Sequence, residues 1–158
     1  MRIRSGASAE IFGLAFLFLA GGVFAHCEIP CGIYDDTARV SMIEEHIGTI
    51  EKSMKKIEEL GAAKDKNYNQ LVRWIDNKEL HANKIQEIVY QYFMNQRIKP
   101  TSPDNEKAYQ KYITELSALH EMLVYAMQCK QTTDLANTKK LRESLEKFRK
   151  SYFGATSK

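Results

Sequence analysis

Two cysteines, a histidine and a tyrosine crowd into nine consecutive residues, His26-Cys27-Glu28-Ile29-Pro30-Cys31-Gly32-Ile33-Tyr34. The C-x₃-C spacing of Cys27 and Cys31 is neither the C-x-x-C of a redox dithiol nor a paired zinc knuckle, so a zinc finger would lack half its ligands. Pro30 and Gly32 flank Cys31 and shape the backbone around it. What these side chains can do depends on whether His26 carries a peptide bond or a free amine.

The preceding residues bear on that point. Arg2 and Arg4 lead into an unbroken apolar run, Ile11 to Ala20, and small residues Val23 and Ala25 stand where a signal peptidase reads them for a cut after Ala25. The uncharged stretch from Ile11 to Ala25 is 15 residues, short of the roughly 20 that span a bilayer. The arginines are not adjacent, which excludes a twin-arginine signal. Residues 1–25 are therefore expected to be a leader removed by a processing peptidase, with export to a secreted or periplasmic compartment and no stable membrane anchor afterwards. Processing in the cytoplasm would create the same terminus. Losing Arg2, Arg4 and Glu10 leaves the mature chain nearly balanced in charge.

With His26 first, the terminus offers an α-amine, an imidazole and the thiolate of Cys27. The amine of His26, the amide nitrogen of Cys27 and the Cys27 thiolate can form fused chelate rings in one plane. Cys31 can close the fourth position with its thiolate, and the His26 imidazole can approach from above. Planar nitrogen and sulfur coordination favours nickel or copper over zinc, which prefers a tetrahedron. Two other readings stand beside this one. An exported chain can close Cys27 and Cys31 into a small disulfide loop, or pair one of them with Cys129.

The rest of the chain must position that segment, and its pattern is helical. Val40, Ile43, Ile47, Ile50, Met54 and Ile57 recur at three- and four-residue steps, with Asp36 or Thr37 as the cap and Gly61 at the far end. A second pattern runs from about Tyr68 to Gln96 through Leu71, Trp74, Ile75, Ala82, Ile85, Val89, Tyr92 and Phe93, and Pro100 and Pro103 end it. Ser102 before Pro103 reads as the cap of a third helix through Tyr109, Tyr112, Ile113, Leu116, Leu119, Leu123 and Met127. A fourth begins near Asp134 and uses Leu135, Leu141, Leu145, Phe148 and Tyr152. Four amphipathic helices with short connections predict an all-α four-helix bundle over residues 36–158, with an amino-terminal metal-binding hook at 26–35. Met54 and Met127 belong to its core stripes, and Cys129 reads as a small buried hydrophobe.

Composition narrows the functional classes. The chain has 158 residues, 44% hydrophobic and 27% charged, with a formal net charge of +3. Those figures suit one folded domain and argue against both disorder and a dedicated nucleic-acid binder.

The segment HCEIPCGIYDD directly after a cleavable leader, followed by a helix-rich chain of this length, resembles nickel superoxide dismutase. The resemblance covers the predicted mature chain, and its motif is concentrated in His26 to Tyr34. It implies a homohexamer of four-helix bundles holding one nickel ion per subunit, with superoxide anion as substrate and oxygen and hydrogen peroxide as products of Ni(II)/Ni(III) cycling. By position, His26 would supply the amine and the axial imidazole, Cys27 its amide nitrogen and thiolate, and Cys31 the second thiolate. Pro30 would set the hook's turn, and Tyr34 would order substrate or water near the open axial face. A second residue should orient the His26 imidazole, and His81, in Lys78-Glu79-Leu80-His81, is the candidate. A metal carrier without turnover and a disulfide-looped helical interaction protein are the competing functions.

Overall fold

The first helix, α1 (Asp36–Ala62), starts where Asp35 turns its carboxylate onto the backbone, accepting from the Thr37 amide at 2.7 Å. The computed structural model describes residues 35–154, which all fall in one compact unit, Tyr34–Lys158. Three more helices follow: α2 (Tyr68–Glu87), which continues as a π-helical segment (Ile88–Arg97), α3 (Glu106–Gln131) and α4 (Leu135–Phe153). The helix α1 packs on α2 and α4, and α3 packs on α2 and α4, so sequence neighbours are spatial neighbours around one core. The expected all-α four-helix bundle is the fold, and no helix among the described residues is long and apolar enough to cross a membrane.

The core is the set of stripes that the 3.6-residue period selects. Ile43, Ile47, Ile50 and Met54 of α1, Ala82 and Ile85 of α2, Leu119 and Met122 of α3, and Leu141 and Leu145 of α4 are all fully buried in it. Each such side chain contributes about 1.5–3 kcal/mol by leaving water. At one end of the bundle Phe93 meets Phe148 edge-on at 4.8 Å, and Phe148 stacks on Tyr152 at 5.1 Å. Substituting Phe148→Ala would remove the ring common to both contacts from a fully buried position. Chemical denaturation should show it less stable by about 3–5 kcal/mol, with an unchanged dependence on denaturant. A midpoint that hardly moves would mean that the end of the bundle repacks without this ring.

Several boundaries differ from the pattern-based expectation. The cap of α1 is Asp35, so Asp36, the expected cap, is free for other contacts. Gly61 stays helical, and α1 ends instead at Ala63 in extended backbone; Gly154 is the only described residue with positive φ. The cap of α3 is Asn105, whose Oδ1 accepts from the Ala108 amide at 3.2 Å, while Ser102 holds the preceding turn by donating to Asp104 at 2.8 Å. Asp134 does cap α4, accepting from Ala136 at 2.9 Å.

Two stripes are also rotated. Met127 is 44% exposed, because the buried face of α3 runs through Glu115, Ala118, Leu119, Met122, Ala126 and Cys129. On α2 the first two turns extend past the core, leaving Ile75 exposed and Leu71 and Trp74 half-buried. Lys78, buried at 4% exposure, takes the place an apolar residue would fill. Its ammonium donates to the carbonyls of Cys129 (2.8 Å), Lys130 and Thr132 (3.4 Å), satisfying orphan acceptors at the end of α3.

Candidate metal centre and the base of the first helix

The candidate ligands His26, Cys27 and Cys31, with Pro30, Gly32, Tyr34 and the cleavage position Ala25, lie outside the described residues. The described chain begins one residue after Tyr34, at the base of α1. There Asp36 holds three elements together. Tyr92 donates its hydroxyl to Oδ1, Tyr152 donates to Oδ2 at 2.8 Å, and Arg97 Nε donates to Oδ1 at 2.8 Å. Arg97 also donates to the Tyr92 hydroxyl at 3.0 Å, and the guanidinium carbons of Arg39 and Arg97 each lie 5.1 Å from the centre of the Tyr92 ring.

The π-helical segment makes this cluster possible. A continuous α-helix brings residues three and four apart onto one face, whereas i→i+5 winding stacks residues five apart. Tyr92 and Arg97 are five apart, as are Gln91 and Gln96, whose Nε2 donates to the Gln91 carbonyl at 2.9 Å. Sequence periodicity treats this stretch as an ordinary continuation of α2, so it misses the rewinding and the cluster it builds.

The electrostatics keep every partner in its bonding form. Burial pushes the Asp36 carboxyl up, but the hydroxyls of Tyr92 and Tyr152 and the Arg97 charge outweigh it and hold the group below the usual carboxylate range. Burial and the Asp36 carboxylate raise both tyrosines, so each hydroxyl keeps its proton and donates.

The other sequence candidates fall elsewhere. His81 on α2 points its Nδ1 at the Nδ1 of His46 on α1, 3.1 Å away, with the rings nearly perpendicular. The imidazole of His26, which the resemblance would set beside His81, is outside the described residues. Cys129 is a free, buried thiol, as expected; burial raises its pKa to about 11 against the opposing charge of Lys78, which makes it a poor nucleophile. Among the described residues no group of three or more His, Cys, Asp or Glu could hold a metal ion.

The histidine pair titrates with a definite sign. Burial lowers both pKa values from 6.5, helped at His46 by the charges of His81 and Lys84 and at His81 by Lys84, and opposed at both by Glu45. As pH falls through the unfolded value of 6.5, the unfolded chain binds protons that the native pair refuses. The stability associated with neutral imidazoles is therefore fully present above that pH and is lost below it. Unfolding midpoints from pH 7.5 down to 5, in chelating buffer, should decline less steeply for His81→Gln than for the parent chain. Parallel declines would show that the pair is not the group responsible.

Comparison with known families bears on the undescribed terminus. The family model for nickel-containing superoxide dismutase matches residues 22–156, a span that takes in His26 to Tyr34 and the whole bundle. No match is found among curated proteins or solved structures.

Proposed function

Because the chain belongs to the nickel-containing superoxide dismutase family, we propose that its nickel is held by the amine and imidazole of His26, the amide nitrogen and thiolate of Cys27, and the thiolate of Cys31. The protein is an oxidoreductase that disproportionates superoxide, and nickel is its cofactor. The observation that carries the ligand assignment is the donor set itself, HCEIPC behind a leader whose small residues favour a cut after Ala25. One amine, one amidate and two thiolates suit a planar, electron-rich site for nickel and fit zinc poorly.

The overall reaction takes two superoxide ions and two protons to oxygen and hydrogen peroxide. Bound nickel would supply a one-electron Ni(II)/Ni(III) couple between the two superoxide half-reactions. The residues would make that couple accessible: the thiolates of Cys27 and Cys31 and the Cys27 amidate would donate electron density to the metal, and the His26 imidazole would add to it. Pro30 and Gly32 would set the turn that brings Cys31 to the metal. Tyr34 would order substrate or water beside it. His81 remains the candidate for orienting the His26 ring, through the nitrogen not engaged with His46. Without metal, the same two thiolates are exposed to the peroxide product and close to a disulfide.

The maturation scheme follows from the same chemistry. Residues 1–25 are a leader, a peptidase cuts after Ala25, the mature chain is exported, and six subunits assemble with one nickel each. The mass and metal content of the native protein test this together. A mass that begins at His26 with one nickel per chain is the expected result; nickel bound to a chain that still carries residues 1–25 would overturn the amine as a ligand.

A further inference from the structure

We propose that His46 and His81 form a two-imidazole chelate for a divalent late-transition cation, zinc(II) or copper(II), bound between α1 and α2 in addition to the nickel. The two Nδ1 atoms stand 3.1 Å apart. Two nitrogens bound to one ion at about 2.0–2.1 Å are separated by about 2.9 Å at a right angle and about 3.3 Å at the tetrahedral angle. The observed distance lies inside that interval, so the two nitrogens already stand at the spacing that one shared ion sets.

The scaffold holds this spacing. His46, 8% exposed, sits on α1 beside the fully buried Ile43, Ile47 and Ile50, and His81 is followed on α2 by the fully buried Ala82. The pair thus belongs to the extensive α1–α2 contact. Burial also favours the neutral rings, which are the ligating form. Glu45 and Lys84 act on both rings with opposite sign, so neither charge governs the site alone.

In the metal-free pair one ring donates from Nδ1–H and the other accepts. When an ion binds, the donating ring passes its proton from Nδ1 to Nε2 through solvent. Two neutral imidazoles then ligate, and no net proton is released. His81 is only half-buried, so water reaches the remaining coordination positions. No third His, Cys, Asp or Glu joins the pair among the described residues, which marks an exchangeable site and not a closed structural one.

The test uses mature, nickel-loaded protein equilibrated with zinc chloride, followed by removal of free metal and elemental analysis of both ions. The expected result is one zinc per chain in addition to the nickel, lost in both His46→Ala and His81→Ala and retained in His120→Ala, whose residue is exposed on α3. His81→Gln, which keeps the ring's approximate volume, should lose zinc with its helical circular dichroism intact, separating ligand loss from misfolding. The proposal is overturned if the parent chain takes up no zinc or if either alanine variant keeps it. It is equally overturned if His46→Ala loses nickel together with zinc, because the metal would then belong to the hook.

Discussion

A chain that retains residues 1–25 is expected to dismutate no superoxide above the uncatalysed rate, even with nickel in excess. In the uncut chain the His26 nitrogen is a peptide amide whose lone pair is delocalised into the Ala25 carbonyl. It can ligate only by losing a proton, and it no longer begins the fused chelate as a neutral amine. An Ala25→Arg variant places a bulky charge where the peptidase reads a small residue, so it should accumulate as the long form. Superoxide decay followed by stopped-flow absorbance, beside the intact mass of the same sample, makes the measurement unambiguous. Liberating His26 from that sample with an engineered cut should restore activity. Full activity in a chain whose mass still includes the leader would remove the amine from the mechanism.

Cys31→Ser is expected to abolish activity and nickel retention together. A serine hydroxyl is a hard oxygen that stays protonated near neutral pH, so the position proposed for the Cys31 thiolate would lose both its charge and its soft donor. Cys27→Ser should do the same, since it removes a thiolate from the same plane. The bundle should survive either change: its core draws on Ile43, Ile47, Phe93, Leu119, Leu145 and Phe148, none of which belongs to the hook. Helical circular dichroism close to the parent's, with no nickel and no catalysed decay, is the anticipated pattern. A Cys31→Ser protein that holds nickel and turns over would mean that another group closes the plane.

The readings that proved legible rest on local chemistry. The stripe Val40, Ile43, Ile47, Ile50, Met54 predicts α1 because burial acts on a fixed 3.6-residue period, and those residues are buried in the bundle. Asp134 is recognisable as a cap because its carboxylate needs only the amides that follow it. The misreadings turn on which contacts each side chain makes. Asp36 and Ser102 have cap chemistry too, but Asp35 caps α1 while Asp36 is taken by Tyr92, Arg97 and Tyr152, and Asn105 caps α3 while Ser102 bonds Asp104 in the preceding turn. Met127 falls outside the core because the face of α3 is chosen by its neighbours α2 and α4, and that choice turns the helix toward Ala118, Ala126 and Cys129.

Lys78 and the π-helical segment lie beyond sequence reasoning for a related reason. A lysine in a helical stripe carries no sign that three carbonyls 51 to 54 residues away will receive its ammonium. Nothing in Ile88–Arg97 announces i→i+5 winding, which here brings Tyr92 and Arg97 together onto Asp36.

By itself the sequence determined the helical class, and it alone carries the proposed donor set at His26, Cys27 and Cys31, because apolar periodicity and chelation both depend on residues close together in the chain. Only the tertiary structure decided that Asp36 would be shared by Tyr92, Arg97 and Tyr152, that Lys78 would close α3, and that His46 would meet His81 at 3.1 Å. Those contacts join residues 35 to 116 positions apart. Whether such groups meet depends on how four helices rotate to fill one core, which is a property of their packing together.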